Sequence, residues 1–141
     1  MIVLDTSALV EFLIGADELA ERVRSAAAGD VLAAPHAVDL EVASALRGLV
    51  HGRKLPADEA RRALELLAAM GVRRFAHAPL LPRIWELRHN LWPYDAAYVA
   101  LAETLRTALV TVDSKLGDVP DIRCPVWNVR ETWRGRTTGN L

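Results

Sequence analysis

Short runs that are apolar from end to end alternate along this chain with segments whose apolar residues recur every three or four positions. The unbroken runs fall at residues 2 to 4 (IVL) and 31 to 35 (VLAAP); the segments 108 to 113 (ALVTVD) and 126 to 129 (VWNV) read as strands by their β-branched content, with a weaker one at 72 to 75. A strand facing solvent on one side alternates polar and apolar residues, so runs without alternation are read as strands covered on both faces. Strand, helix and strand in repeated succession leave few architectures. The pattern predicts an α/β fold, a single domain whose mainly parallel central sheet is flanked by helices and built with right-handed crossovers. The 141 residues are enough for one such core and too few for two.

A first helix is expected over residues 7 to 13, ended by Gly15. Asp17 is placed to cap a second over 18 to 28, closed by Gly29. Val38, Val42, Ala45, Leu46 and Leu49 form the apolar stripe of a helix over 38 to 51, which Gly52 follows. The stretch PADEARRALELLAAMG has proline and acids in its first turn and glycine after its last, so it should form a helix paired as a hairpin with the preceding one. Further helices are expected over 80 to 89 and 95 to 107, the latter announced by WPYD. Residues 131 to 141, polar and glycine-containing, read as a tail outside a domain of residues 1 to 130, and Trp133 within it is a candidate anchor for a partner.

Lys and Arg number 17 against 18 Asp and Glu, so no global field attracts nucleic acid or an anionic membrane, and any such binding has to be local. No apolar run approaches the roughly 18 residues of a membrane helix, and the N-terminus lacks the cationic start of a secretion signal. Cys124 is the only cysteine, which excludes an intramolecular disulfide and a multi-cysteine metal site. The expectation is a soluble protein of the reducing cytoplasm.

Asp5 and Asp113 each terminate an apolar run, Asp95 opens the helix leading into the fourth strand, and Glu41 borders the stripe of its helix. Taken singly, the three aspartates read as caps for free backbone N–H groups and Glu41 as a solvated border residue. On the inferred fold they gain a different meaning, because the carboxyl edge of a parallel sheet is where ligands bind. If the first and fourth strands are neighbours, Asp5 and Asp113 face one crevice with Asp95 and Glu41 close by. Like charges so placed raise one another's pKa and call for a cation. An all-oxygen donor set suits Mg²⁺ or Mn²⁺, whereas His36, His51, His77 and His89 show no ligand spacing for zinc. A divalent ion held this way activates water and stabilises charge on a phosphoryl oxygen, so phosphodiester hydrolysis is the natural chemistry. The residues alone leave two other readings open. One is phosphoryl transfer to an aspartate, for which Lys115 speaks but Ser7 stands where a phosphatase has its second acid; the other is a binding module without turnover.

The stretches VLDTSALV, DLEVASALR, WPYDAAYVALAE and LVTVDSKL, in this order and spacing, resemble the four acidic motifs of PIN-domain ribonucleases. Within that family the short length resembles VapC-type toxins of bacterial toxin–antitoxin pairs, and the resemblance runs from residue 2 to about 129. It implies that Asp5, Glu41, Asp95 and Asp113 hold Mg²⁺ or Mn²⁺ directly or through water, with Ser7 and Thr111 orienting those carboxylates or the substrate. It further implies endonucleolytic cleavage of RNA by metal-activated water, a homodimer, and a cognate VapB-type antitoxin that places a peptide in or near the acidic groove. An arginine on that peptide would suit the carboxylates. Leu116 stands where the family often carries an aromatic residue, and Asp118 is either a further water-mediated ligand or a loop acid. The basic pairs Arg53 with Lys54, Arg61 with Arg62 and Arg73 with Arg74 are read as solvated charges rather than phosphate contacts. Trp92 is read as a half-buried packing residue rather than a base-stacking one.

Overall fold

The computed structural model describes residues 1–131; Trp133 and the expected tail beyond residue 131 lie outside them. Five short strands, β1 (Ile2–Leu4), β2 (Leu32–Pro35), β3 (Arg73–Phe75), β4 (Leu109–Thr111) and β5 (Val126–Asn128), form one sheet of order β3-β2-β1-β4-β5. Every pairing is parallel. The three inner strands are buried at every position, which is why their sequences show no polar alternation, while β3 and β5 at the edges are partly exposed. β1 and β4 are neighbours, with Val3 paired to Leu109.

Six helices flank the sheet in two groups: α1 (Thr6–Ile14), α2 (Glu18–Ala27), α3 (Val38–His51), α4 (Ala57–Ala69), α5 (Leu81–Glu86) and α6 (Pro93–Leu105). Helix α1 packs on β1 and β4 with α2, α3 and α4 gathered around it, and α3 with α4 forms the expected hairpin. Helix α6 packs on β1, β2 and β4 with α5 beside it. From Ala96 to Ala102 every residue of α6 is buried. The small alanines in that stretch let the helix axis come close to the sheet, so α6 behaves as a core element rather than an amphipathic one. Gly15, between α1 and α2, is required by contact rather than by backbone angle, since a Cβ there would meet Ala20 and the carbonyl of Glu11.

Two element ends differ from expectation for identifiable reasons. The helix expected over 80 to 89 is a short 3-10 turn (Ala78–Leu80) followed by α5, which stops at Glu86. Beyond it Arg88 and Asn90 donate to carbonyls three residues back, and Trp92 is extended (φ −63°, ψ 150°). A residue before proline avoids the helical region, so Pro93 forces the break and then starts α6 two residues earlier than expected. The run expected over 108 to 113 pairs as a strand only from Leu109 to Thr111. Past that point side-chain hydroxyls take over the backbone donors: the Val112 N–H donates to Ser7 Oγ (3.3 Å) and the Asp113 N–H to Thr111 Oγ1 (3.0 Å).

The end of α6 far from Asp95 is tied down by a nearly buried ion pair. Arg83 of α5 donates to both carboxylate oxygens of Glu103 (2.8 and 3.1 Å), and the Arg123 N–H donates to Glu103 Oε1 (2.8 Å). Their side chains keep only 16% and 12% of their surface exposed. Burial pushes Glu103 up, but Arg83 and the Arg123 amide outweigh it and hold the carboxyl below its ordinary range. No helix among the described residues is long and apolar enough to cross a membrane.

Candidate active site

In a parallel sheet of order β3-β2-β1-β4-β5, the chain leaves β1 and β4 in opposite lateral directions, and the crevice between their carboxyl ends is the topological switch point. Asp5 directly follows β1, and Asp113 comes two residues after β4. Asp95 lies in the first turn of α6 and Glu41 in the first turn of α3, the helix that begins three residues after β2 ends. Glu41 is thus the fourth residue of α3, where the helix expected over 38 to 51 also puts it. The partial positive charge of a helix N-terminus favours a carboxylate at each of these places. Only one of the three aspartates is a true cap. Asp5 accepts from the Ala8 N–H (2.9 Å), whereas the cap of α6 is Trp92 and Asp113 accepts from the Lys115 N–H (3.0 Å) in a turn.

Asp5 is the most constrained of the four, with 9% of its surface exposed. Ser7 Oγ donates to its Oδ1 (2.7 Å), and the wholly buried Thr111 donates to its Oδ2 (2.5 Å). A carboxylate has about four lone-pair positions, and three of Asp5's are occupied by these donors and Ala8, which fixes its plane. Glu41 is held differently. The Tyr98 hydroxyl donates to Glu41 Oε1 (2.9 Å), and the same phenol oxygen lies 2.9 Å from Thr6 Oγ1. Tyr98 is buried in the alanine-rich stretch of α6, where its hydroxyl needs partners, and Glu41 with Thr6 supplies them. Sequence reasoning missed Tyr98 and Thr6. Their signals were a lone polar-tipped residue three positions after Asp95 in an apolar helix, and a hydroxyl beside Asp5.

The carboxylates feel one another. Burial pushes Asp5 above its ordinary pKa against the pull of its hydrogen bonds, and Asp95 adds repulsion. Burial likewise pushes Glu41 up, opposed by the Tyr98 bond and reinforced by Asp95 and Asp5. Crowding by surrounding protein and then Asp113 push Asp95 up, though solvent still reaches it. A cleft of about 470 Å³ joins the three aspartates, lined on its polar side by Asp5, Ser7, Asp95 and Asp113 and on the other by Val10, Ala45 and Leu49; Glu41 stands outside its lining. Glu11, one turn after Ser7 on α1, also lines it; Asp118 does not. The four acids thus form one electrostatic cluster at one sheet edge. They do not form a ready-made cage: among the described residues no three His, Cys, Asp or Glu side chains are placed to hold a metal ion as they stand.

In the protein without bound cations, these shifts set a pH dependence of stability. A carboxyl whose pKa is higher folded than unfolded costs stability when both states are charged, and the cost is relieved as pH falls and the folded state takes up the proton. Asp39, held low by Arg74, and Glu103 act oppositely and lose their contribution in acid. Thermal unfolding in EDTA should therefore show stability falling as pH rises above the ordinary carboxylate range, and falling again in acid below it. A melting temperature that rises steadily from the carboxylate range to neutral pH would contradict the clustering.

The PIN domain family model matches residues 2–122, a span that contains all four acids. The chain belongs to the PIN-domain family. A VapC ribonuclease of Mycobacterium bovis and ribonuclease VapC9 of Mycobacterium tuberculosis are each 44% identical to it over 126 residues, covering 89% of this chain and 96% of theirs. Ribonuclease VapC1 of Mycobacterium tuberculosis is 39% identical over 129 residues, covering 91% and 97%. This PIN domain is thus of the VapC type. Its fold is similar to that of crystalline Mycobacterium tuberculosis VapC20, described as a sarcin–ricin loop cleaving toxin, with a TM-score of 0.64 at 20% identity over 83% of this chain and 93% of that one.

Other residues singled out in this PIN domain sit away from the cluster or are otherwise engaged. Arg61 and Arg62 pair with Glu65 and Asp58 along α4, and Arg74 pairs with Asp39 through both oxygens. Arg73 lies over the Phe75 ring, 5.5 Å from its centroid. Trp92 departs from the packing role expected of it: 79% of its surface is exposed.

Proposed function

We propose that this PIN domain is a VapC-type toxin that cleaves RNA as a Mg²⁺- or Mn²⁺-dependent endoribonuclease. The observation that carries the reading is the convergence of Asp5, Glu41, Asp95 and Asp113 at the switch point of the sheet, three of them with pKa values raised by burial and mutual repulsion. The names of relatives 44% and 39% identical over nearly the whole chain support ribonuclease activity.

The donor set fits the proposed cation. It is all oxygen and carries the excess negative charge that a hard divalent ion offsets. Mg²⁺ is commonly taken by one or two carboxylates with water filling its shell, so it needs no three-residue cage of the kind zinc takes. Asp5, fixed by Ser7, Ala8 and Thr111, and Asp95 and Asp113 across the cleft would hold the ion directly or through water. When bound, it supplies Lewis acidity toward a phosphoryl oxygen and a more acidic water. Glu41, oriented by the Tyr98 hydroxyl, would complete the set as a fourth ligand, directly or through water. Val10, Ala45 and Leu49 give one side of the cleft an apolar wall.

The same reading includes a homodimer working in the cytoplasm and inhibition by a VapB-type antitoxin, whose arginine would pair with the acidic cluster. The test is cleavage of total RNA by the purified protein with Mg²⁺ and with excess EDTA. Discrete fragments with Mg²⁺ and none with EDTA are expected; equal cleavage in both would overturn the metal dependence, and none in either would overturn the nuclease. Mg²⁺ should also raise the melting temperature most near pH 7 and flatten its decline above the carboxylate range, since it relieves the repulsion among ionised acids.

A further inference from the structure

Residues 88 to 93, which connect α5 to α6, form a second recess of about 400 Å³. Arg88, His89 and Trp92 line it and no carboxylate does. Among the described residues no carboxylate lies within ion-pair distance of Arg88, whose guanidinium sits 4.7 Å from the Trp85 ring centroid and donates to the Trp85 carbonyl (2.8 Å). Trp85, Trp92 and Tyr94 expose 67%, 79% and 62% of their surfaces, a concentration of large rings that folding leaves in water. Trp92 caps α6 and Asp95 lies in the first turn of the same helix, so one helix end contributes a residue to the recess and an acid to the cleft.

We propose that this recess is a nucleotide subsite: Trp92 stacks an unpaired base of the RNA while Arg88 and His89 face its phosphates. The inference rests on the ribonuclease reading for the identity of the strand, and it deepens that reading by specifying unpaired RNA at this recess. Three properties favour a nucleotide over a protein partner. The recess is lined by the cation Arg88, which lies over the Trp85 ring, and by His89 and Asn90 as well as Leu91 and Pro93; the lining carries no acid to repel phosphate; and Asp95, an acid of the cluster, is three residues from Trp92 on the same helix end. A base offers a π-face of any sequence to the indole, whereas a base inside a duplex is already stacked and offers only its edge. The backbone supports the placement, since the proline after Trp92 holds that residue extended and keeps its ring out of the helix packing.

The experiment separates this subsite from the catalytic reading by measuring binding without turnover. A fluorescein-labelled single-stranded oligoribonucleotide is titrated with Asp5→Asn protein in Mg²⁺, with and without Trp92→Ala, Trp92→Phe or Arg88→Gln, following anisotropy. Trp92→Ala should weaken binding about tenfold and Trp92→Phe less than about threefold, in line with the usual worth of one stacked base. Arg88→Gln should weaken it and reduce its salt dependence, and the blunt duplex of the same sequence should bind without regard to Trp92. Unchanged affinity in Trp92→Ala, or equal loss for single strand and duplex, would overturn the subsite. So would a Trp92→Ala protein that binds RNA normally but changes its sedimentation, which would assign the rings to a protein interface. Trp92-dependent binding in a protein whose wild type cuts no RNA would leave the subsite standing and remove the nuclease.

Discussion

Asp5→Asn is expected to lower the rate of RNA cleavage by about a thousandfold or more, some 4 kcal/mol of transition-state stabilisation, with the fold intact. Asparagine is nearly isosteric with aspartate and caps a helix about as well, so its carbonyl oxygen can still accept from Ala8 and Ser7. Thr111 can rotate its hydroxyl to accept from the new amide. The substitution removes a buried charge that burial and Asp95 already disfavour, so the metal-free protein should melt no lower than wild type at pH 7 and should lose part of its decline above the carboxylate range. Activity and thermal unfolding measured on the same preparation give the answer. Cleavage within tenfold of wild type would mean that Asp5 is only a cap. A large drop in melting temperature would mean that the lost activity reports unfolding.

The second large effect is on stability and lies at the opposite end of α6. Glu103→Ala should cost about 3 kcal/mol, because it leaves the nearly buried Arg83 guanidinium without its bidentate partner and strips the Arg123 N–H of its acceptor. For a chain of this length that is a fall in melting temperature of about 10 °C. Glu86 and the Asp121 carbonyl still accept from Arg83, which limits the loss. Removing both charges, in Arg83→Met with Glu103→Leu, should recover a substantial part of it, since the isolated buried charge is then gone. A single substitution that shifts the melting temperature by less than about 3 °C would show that solvent screens the pair. Metal-dependent cleavage per folded molecule should be unchanged, because the pair and Asp95 occupy opposite ends of the helix.

The architecture was legible because its signals are local. Apolar runs or β-branched content marked β1, β2, β4 and β5, and β3, with Arg73 and Arg74 on an edge, gave the weakest signal for the same reason that it is partly exposed. Asp5, Glu41, Asp95 and Asp113, each unremarkable singly, could be picked out as a group because the inferred parallel sheet puts strand and helix ends at one edge. Tyr98 could not, since an aromatic residue in a buried helix carries no mark of what its hydroxyl will meet, and its partner Glu41 is 57 residues away. Trp92 was misjudged because size and hydropathy favour burial, while the extended backbone before Pro93 turns that residue out.

Properties governed by neighbours within a turn or two, namely element type, caps and the placing of each acid at a strand or helix end, follow from residue order alone. Which strands lie side by side, how close the acids come, and which hydroxyl orients which carboxylate depend on contacts between residues such as Asp5 and Thr111, 106 positions apart. Those contacts exist only once the whole core has packed, because burial that covers both faces of β1 and β4 is what brings the ends of the two strands to a common edge.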